Sequence, residues 1–365
     1  MKDKLKLVLS IIVVSILVIV LYVIFEGAVN WAIDAFWIDL LNTQNNRILT
    51  ILATIGIGII FFSTIHFIDK PGDKKANKKQ SQVYKLIAVV VIGFFSLFAG
   101  AALGPEAILI PSSLLIGQLI SNFIFKSNKQ TAKILGLAGF VALFVAFFNS
   151  ILGGLLGFYL ATKISKQKPN KFTFLVFIIS SLAALVSLNL LDNKGSFAFP
   201  PSSTNYSILS VVFFIGFFLG GMLYQKILAI CVKYFKQLKN DYSSTWLANA
   251  LFASIGLAVI FLVGGYYVQF TGNRNIGPIF TDATQIGVLG LIWISLIKTV
   301  AIAWSSTFGY RGGLVFPTVF VASSIAALVS LYTTNFHVVA AILVVVAGAL
   351  YADKKDNVII ENLGS

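Results

Sequence analysis

The chain has 365 residues, 58% of them apolar and only 11% charged, with a formal net charge of +14. Soluble domains carry about 25% charged residues, so this composition excludes a water-bathed globule and asks for lipid as its solvent. A basic nucleic-acid binder is excluded too, because the lysines sit in short loops between apolar runs, the pattern of a bilayer protein.

The length fits one bundle of roughly ten helices at about 20 residues per crossing. A single cysteine, Cys231, rules out an internal disulfide and argues against a thiolate metal site. His66 and His337 are far apart and read as helix-end or packed residues rather than metal ligands. No cofactor is expected.

Apolar runs follow at 5–25, 48–69, 84–103, 107–125, 134–162, 172–191, 205–235, 246–270, 286–308, 313–333 and 337–351. The first is longer than a signal-peptide core of about 7–15 residues and predicts a retained transmembrane helix. Lys2, Lys4 and Lys6 place the N-terminus in the cytoplasm. The same side takes Lys70, Lys74, Lys75, Lys78 and Lys79, then Lys126, Lys129 and Lys133, then Lys163, Lys166, Lys168 and Lys171, then Lys226, Lys233, Lys236 and Lys239. Loops near Glu26, Asp34 and Asp39, and near Asp192, are poor in lysine and are expected outside. The expectation is an all-α, multi-pass protein of the cell membrane. It divides into a first membrane repeat at 1–192, a second, shorter one at 205–351 and a polar tail at 352–365, with a single transmembrane domain overall.

Two interruptions fall inside apolar sequence. One is the stretch from Gly100 to Ala107, with Gly104-Pro105-Glu106 at its end; the other runs from Gly309 to Pro317. Irregular backbone at membrane depth is tolerated only where protein buries it or it lines a polar cavity. Matching interruptions in two halves point to a transport site between inverted repeats. The plainer reading is two kinks in tightly packed helices.

A helix that starts inside the membrane offers unpaired N–H groups and the positive end of its dipole. Starts after Glu106 and after Gly313 therefore suit an anion, and no cluster of buried carboxylates suits a cation. Glu106 is a carboxylate at bilayer depth, a functional-site hypothesis by default. It can hold the place an anion would take and act as a gate, or it can simply cap the helix. Lys298 and Arg311 either add positive potential to an anion path or, for Lys298, snorkel to an interface.

At these residues the chain resembles the CLC family of chloride channels and chloride/proton antiporters. The family's G-R-E-G-P motif is similar to Gly104-Pro105-Glu106-Ala107-Ile108, with the glutamate in register and the arginine and second glycine absent. Its G-x-F-x-P motif is similar to Gly313-Leu314-Val315-Phe316-Pro317, with valine in place of the middle phenylalanine. Its F-N-A-P-L-A-G motif is similar to the stretch from Phe148 to Gly154, between two membrane helices. The resemblance spans roughly residues 5–350. It implies a bundle of tilted and broken helices in two inverted repeats, and a homodimer in the bilayer.

Several family features have no counterpart. The G-S-G-I-P serine would fall in the lysine-rich stretch from Pro71 to Gln80. The central tyrosine and last helices would lie beyond the one apolar run that follows residues 321–332. The inner proton-relay glutamate would fall near Leu160 or Ala161. The resemblance thus implies passive conduction of chloride or a similar anion. Ala107, Ile108, Val315 and Phe316 would offer N–H groups, Gly104, Pro105, Gly313 and Leu314 would complete the anion-binding turns, and Glu106 would gate. The alternatives are an inverted-repeat secondary transporter of another anion or small solute, and a degenerate non-transporting relative. A membrane-embedded enzyme is disfavoured, since H-E-x-x-H, G-x-S-x-G and paired intramembrane aspartates are absent.

Overall fold

An apolar run in lipid becomes helical because each backbone N–H and C=O must be satisfied within its own segment. The computed structural model describes all residues except Met1, Gln44, 69–81, Ser127, 166–168, Ala198, 201–207, 243–244, Thr334, 355–357 and 360–365. Among the described residues there are thirteen α-helices, and the only β-type pairing is an isolated bridge between Gly104 and Gly313. Eight helices are long and apolar enough to cross a membrane. The lysine loop from Lys70 to Lys79, the stretch Pro71 to Gln80, Lys166, Lys168 and most of the polar tail lie outside the described residues.

The first helix, α1 (Lys2–Ala32), runs on into a π-helical turn at Ile33–Leu40. This corrects one expectation: Glu26, Asp34 and Asp39 lie on helical backbone, not in a loop. The cause is that apolar positions continue past residue 25, with Val29, Ile33 and Trp37 buried, so the helix carries through Gly27 and winding stops only near Asn42, with φ 47.

Next come α2 (Arg47–Ile68), α3 (Gln82–Phe98), α4 (Glu106–Phe125), α5 (Lys129–Phe148) and α6 (Ile151–Ile164). The run 134–162 is thus two helices. Asn149 adopts a left-handed φ of 45 and ends α5; the Ser150 side chain accepts the Leu152 N–H at 3.2 Å and starts α6. Short polar side chains suit both roles. Then follow α7 (Lys171–Leu190), α8 (Ile208–Tyr242) and α9 (Trp246–Gly264).

The run 246–270 ends early, because Gly265 takes a φ of 70. A looped segment follows with the short α10 (Ile276–Thr281). Then come α11 (Ala283–Phe308), broken by non-helical Gly287, α12 (Val315–Ser330) and α13 (Val338–Ala352). His337 caps α13, its Nδ1 accepting the Ala340 N–H at 3.3 Å, and the His66 ring stacks on Trp246.

Helix α5 is the most enclosed span, 83% buried, and packs against α1, α4, α6 and α7. In the second half α12 packs on α11, α13 and α10. Helices α4 and α12 both begin inside the bundle, and their starting turns face each other across the Gly104–Gly313 bridge.

Candidate functional site: two helix starts around one carboxylate

The bridge is reciprocal. Gly104 N–H donates to the Gly313 carbonyl at 2.8 Å, and Gly313 N–H donates to the Gly104 carbonyl at 2.7 Å. Two chain breaks about 200 residues apart are thereby pinned as one antiparallel rung. Both positions need glycine: a Cβ at either would overlap the Glu106 side chain, which lies between them.

Glu106 opens α4 and is fully buried. Its Oε1 crosses to the other half and accepts the Val315 N–H at 2.5 Å and the Phe316 N–H at 3.1 Å. These are two of the N–H groups that the first turn of α12 cannot satisfy internally. The second oxygen, Oε2, is buried with no hydrogen-bond partner. The carboxylate therefore occupies an anion position made by a helix start from the opposite half.

The other expected residues sort by what their backbones do. The Gly104 and Gly313 amides are committed to the rung. Pro105 has no N–H, and its carbonyl accepts the Ile108 N–H at 3.0 Å, so the Ile108 amide is spent inside its own helix. Ala107 follows Glu106 in the first turn of α4, and Leu314 immediately precedes Val315 at the start of α12. The amides engaged by the carboxylate are those of Val315 and Phe316. The Phe316 ring packs edge-on against Phe147 at 4.6 Å and tilted against Phe197 at 4.6 Å.

Supporting bonds hold both breaks. Ala102 N–H donates to Ser305 Oγ at 3.2 Å, Arg311 N–H donates to Ser96 Oγ at 2.7 Å, and Thr271 Oγ1 donates to the Leu103 carbonyl at 2.7 Å. The loop before α10 thus caps the first break, a role that nothing in its local sequence signals. Lys298 does not snorkel. It is fully buried; its Nζ donates to the carbonyls of Val268 at 3.0 Å, Gln269 at 3.3 Å and Phe270, and it lies 5.3 Å from the Phe320 ring centre. Arg311 is exposed.

A cleft opens beside the first break. Pro105 and Leu97 line it together with Glu26 and Asn30 from α1 and with Gln269 and Arg274 from the capping loop. Glu26 Oε2 accepts the Ser196 hydroxyl at 2.7 Å, and Oε1 accepts Asn273 Nδ2 at 3.2 Å. Sequence reasoning missed this carboxylate. Its only signal was a lone acid beside apolar residues, and it took the α1 extension to put it inside the bundle.

Eight apolar spans among the described residues and two inward helix starts joined within the bundle define an all-helical, multi-pass membrane protein. The profile of the family described as voltage gated chloride channel matches residues 72–352. The chain belongs to that family. A curated relative, chloride channel protein CLC-f of Arabidopsis thaliana, is 22% identical over 301 residues, covering 78% of this chain. The chain spans 38% of the length of that relative.

Among solved structures, the chain is similar to a slow cyanobacterial chloride/proton antiporter, with a TM-score of 0.69, 17% identity and coverage of 99% and 98% of the two chains. It is also similar to a CLC-type fluoride/proton antiporter, with a TM-score of 0.66, 16% identity and coverage of 96% and 89%. A eukaryotic CLC transporter aligns with a TM-score of 0.67 and 12% identity, covering 99% of this chain and 74% of that one. At these identities the likeness concerns the fold. It takes in α1 and α2, which precede the family match.

Proposed function

We propose that the protein moves a small anion of the chloride type passively across the cell membrane, with Glu106 as the gate. One observation carries the reading: a single carboxylate oxygen accepts the Val315 and Phe316 N–H groups at the start of α12. Where one negative oxygen is held by two convergent amides and a helix dipole, a halide can be held in its place. Oε2 has no protein partner, so a proton there neutralises the group without breaking a protein hydrogen bond. An unpaired charge at this depth costs several kcal/mol, which favours exchange of the ionised side chain against either an anion or a proton. Gly104, Pro105, Gly313 and Leu314 frame the turns, and Ala107 lies beside the gate.

Passive conduction is favoured over exchange by α6, where Leu160 and Ala161 stand at the expected relay position. Proton-coupled exchange is the second reading, because two of the similar structures are described as proton antiporters. The lysine distribution favours a cytoplasmic N-terminus, and family membership supports a homodimer.

Liposomes loaded with chloride separate these readings. Efflux that needs only a potassium ionophore is expected. Uphill proton movement driven by a chloride gradient would show exchange instead. Absence of flux with chloride or fluoride would favour another solute or a non-transporting relative.

A further inference from the structure

A second carboxylate, half-buried, lines the cleft beside the first break. Glu26 sits in α1 within the membrane-spanning stretch Lys4–Leu40 and forms one wall of the cleft that Pro105 also lines. The cleft's volume is about 40 Å³, room for about three waters at roughly 10–15 Å³ each. Glu26 and Pro105, the residue before Glu106, therefore line one small cleft.

The charges around it are few. Tyr22 faces Glu26 from α1 itself, with its hydroxyl 2.9 Å from Ser196 Oγ. Ser196 comes from the α7–α8 connection, and Asn273 and Arg274 come from the capping loop. Arg274 is ion-paired with Asp34 of the π-helical turn. From α3 and α5 the nearby residues are apolar: Leu97 lines the cleft, and Phe147, whose carbonyl takes the Ser196 N–H, packs against Tyr22. Two carboxylates, Glu26 and Asp34, against the one Arg274 guanidinium leave one excess negative charge at the cleft. Protonation of Glu26 cancels that excess.

We propose that Glu26 is a proton-operated electrostatic valve: ionised, it holds anions out of the cleft; protonated, it admits them toward the Val315 and Phe316 amides. A charge in a cleft with low-dielectric walls acts strongly on ion approach, changing local ion concentration by about tenfold or more. A proton on one Glu26 oxygen leaves the other able to accept as it does now, from Ser196 or Asn273. The valve rests on the anion-path reading.

The test measures anion flux through oriented protein with pH set separately on the two sides, in an E106Q background that removes the gate's own titration. Acid on the cleft side alone should raise flux about tenfold. Adding E26Q should give the high rate at neutral pH with a flat response to cleft-side acid. R274Q, which leaves Glu26 intact and deepens the negative excess, should lower flux at neutral pH and enlarge the acid response. R274Q keeps the test open if E26Q fails to fold. Anion flux whose cleft-side pH response is the same with and without these substitutions overturns the valve and leaves the anion reading standing. Absence of anion flux from wild-type protein overturns both.

Discussion

Glu106 and Val315 are joined by a 2.5 Å hydrogen bond across 209 residues of sequence, and that bond couples the two halves at the point where both main chains are irregular. The carboxylate completes a helix start that is not its own. Whatever replaces it must satisfy the same amides.

Neutralising the gate should change both rate and pH response. Glu106→Gln keeps the shape but removes the charge that competes with an anion, and Glu106→Ala removes the obstruction as well. Acid favours the neutral form of the native carboxylate, so wild-type flux should rise as pH falls. Both variants should conduct about tenfold faster at neutral pH, the factor expected when roughly 1.4 kcal/mol of competition is removed. Any pH response they keep should come from the cleft side alone. Flux assays in liposomes across pH check this, and wild-type-like profiles would show that Glu106 is not the gate.

Gly313→Ala tests the fit of the carboxylate. The added Cβ would overlap Glu106, so either the side chain or the rung with Gly104 must give way. Overpacking of this kind costs about 1–3 kcal/mol. Thermal unfolding in detergent should show a lower midpoint. Pairing the change with Glu106→Ala should recover much of the loss, because the clashing group is gone.

Lys298 should prove structural. Its ammonium serves three carbonyls in the loop that caps the first break. Lys298→Met fills similar space and leaves those acceptors unpaired, at a cost of about 1–3 kcal/mol. The melting midpoint should fall, and the 268–271 backbone should exchange hydrogen faster than in the wild type. An unchanged midpoint would mean the carbonyls find other donors.

Asp34→Asn should do little to stability. The Arg274–Asp34 pair has side-chain exposures of 31% and 43%, and exposed pairs of this kind contribute about 0–1 kcal/mol. Unfolding midpoints for the two proteins should agree within a few degrees, most closely at high salt, where screening weakens the native pair.

Sequence alone determined what is local. Apolar excess named the solvent, and run length divided the chain into spans. Glycine and proline marked the two breaks, and a single acid beside one break marked the candidate site. Each follows from composition or from the conformational range of one or two residues. Tertiary structure decided what depends on partners. The Glu106 carboxylate bonds to amides of the other half, the Gly104 and Gly313 amides are consumed by each other, and Lys298 is held by carbonyls some 30 residues away. Glu26 became a half-buried wall residue only because α1 carries on past it and the 273–274 loop folds over it. No local signal encodes those pairings, since a donor or acceptor is chosen by which segment packs against it, and packing is a property of the whole bundle.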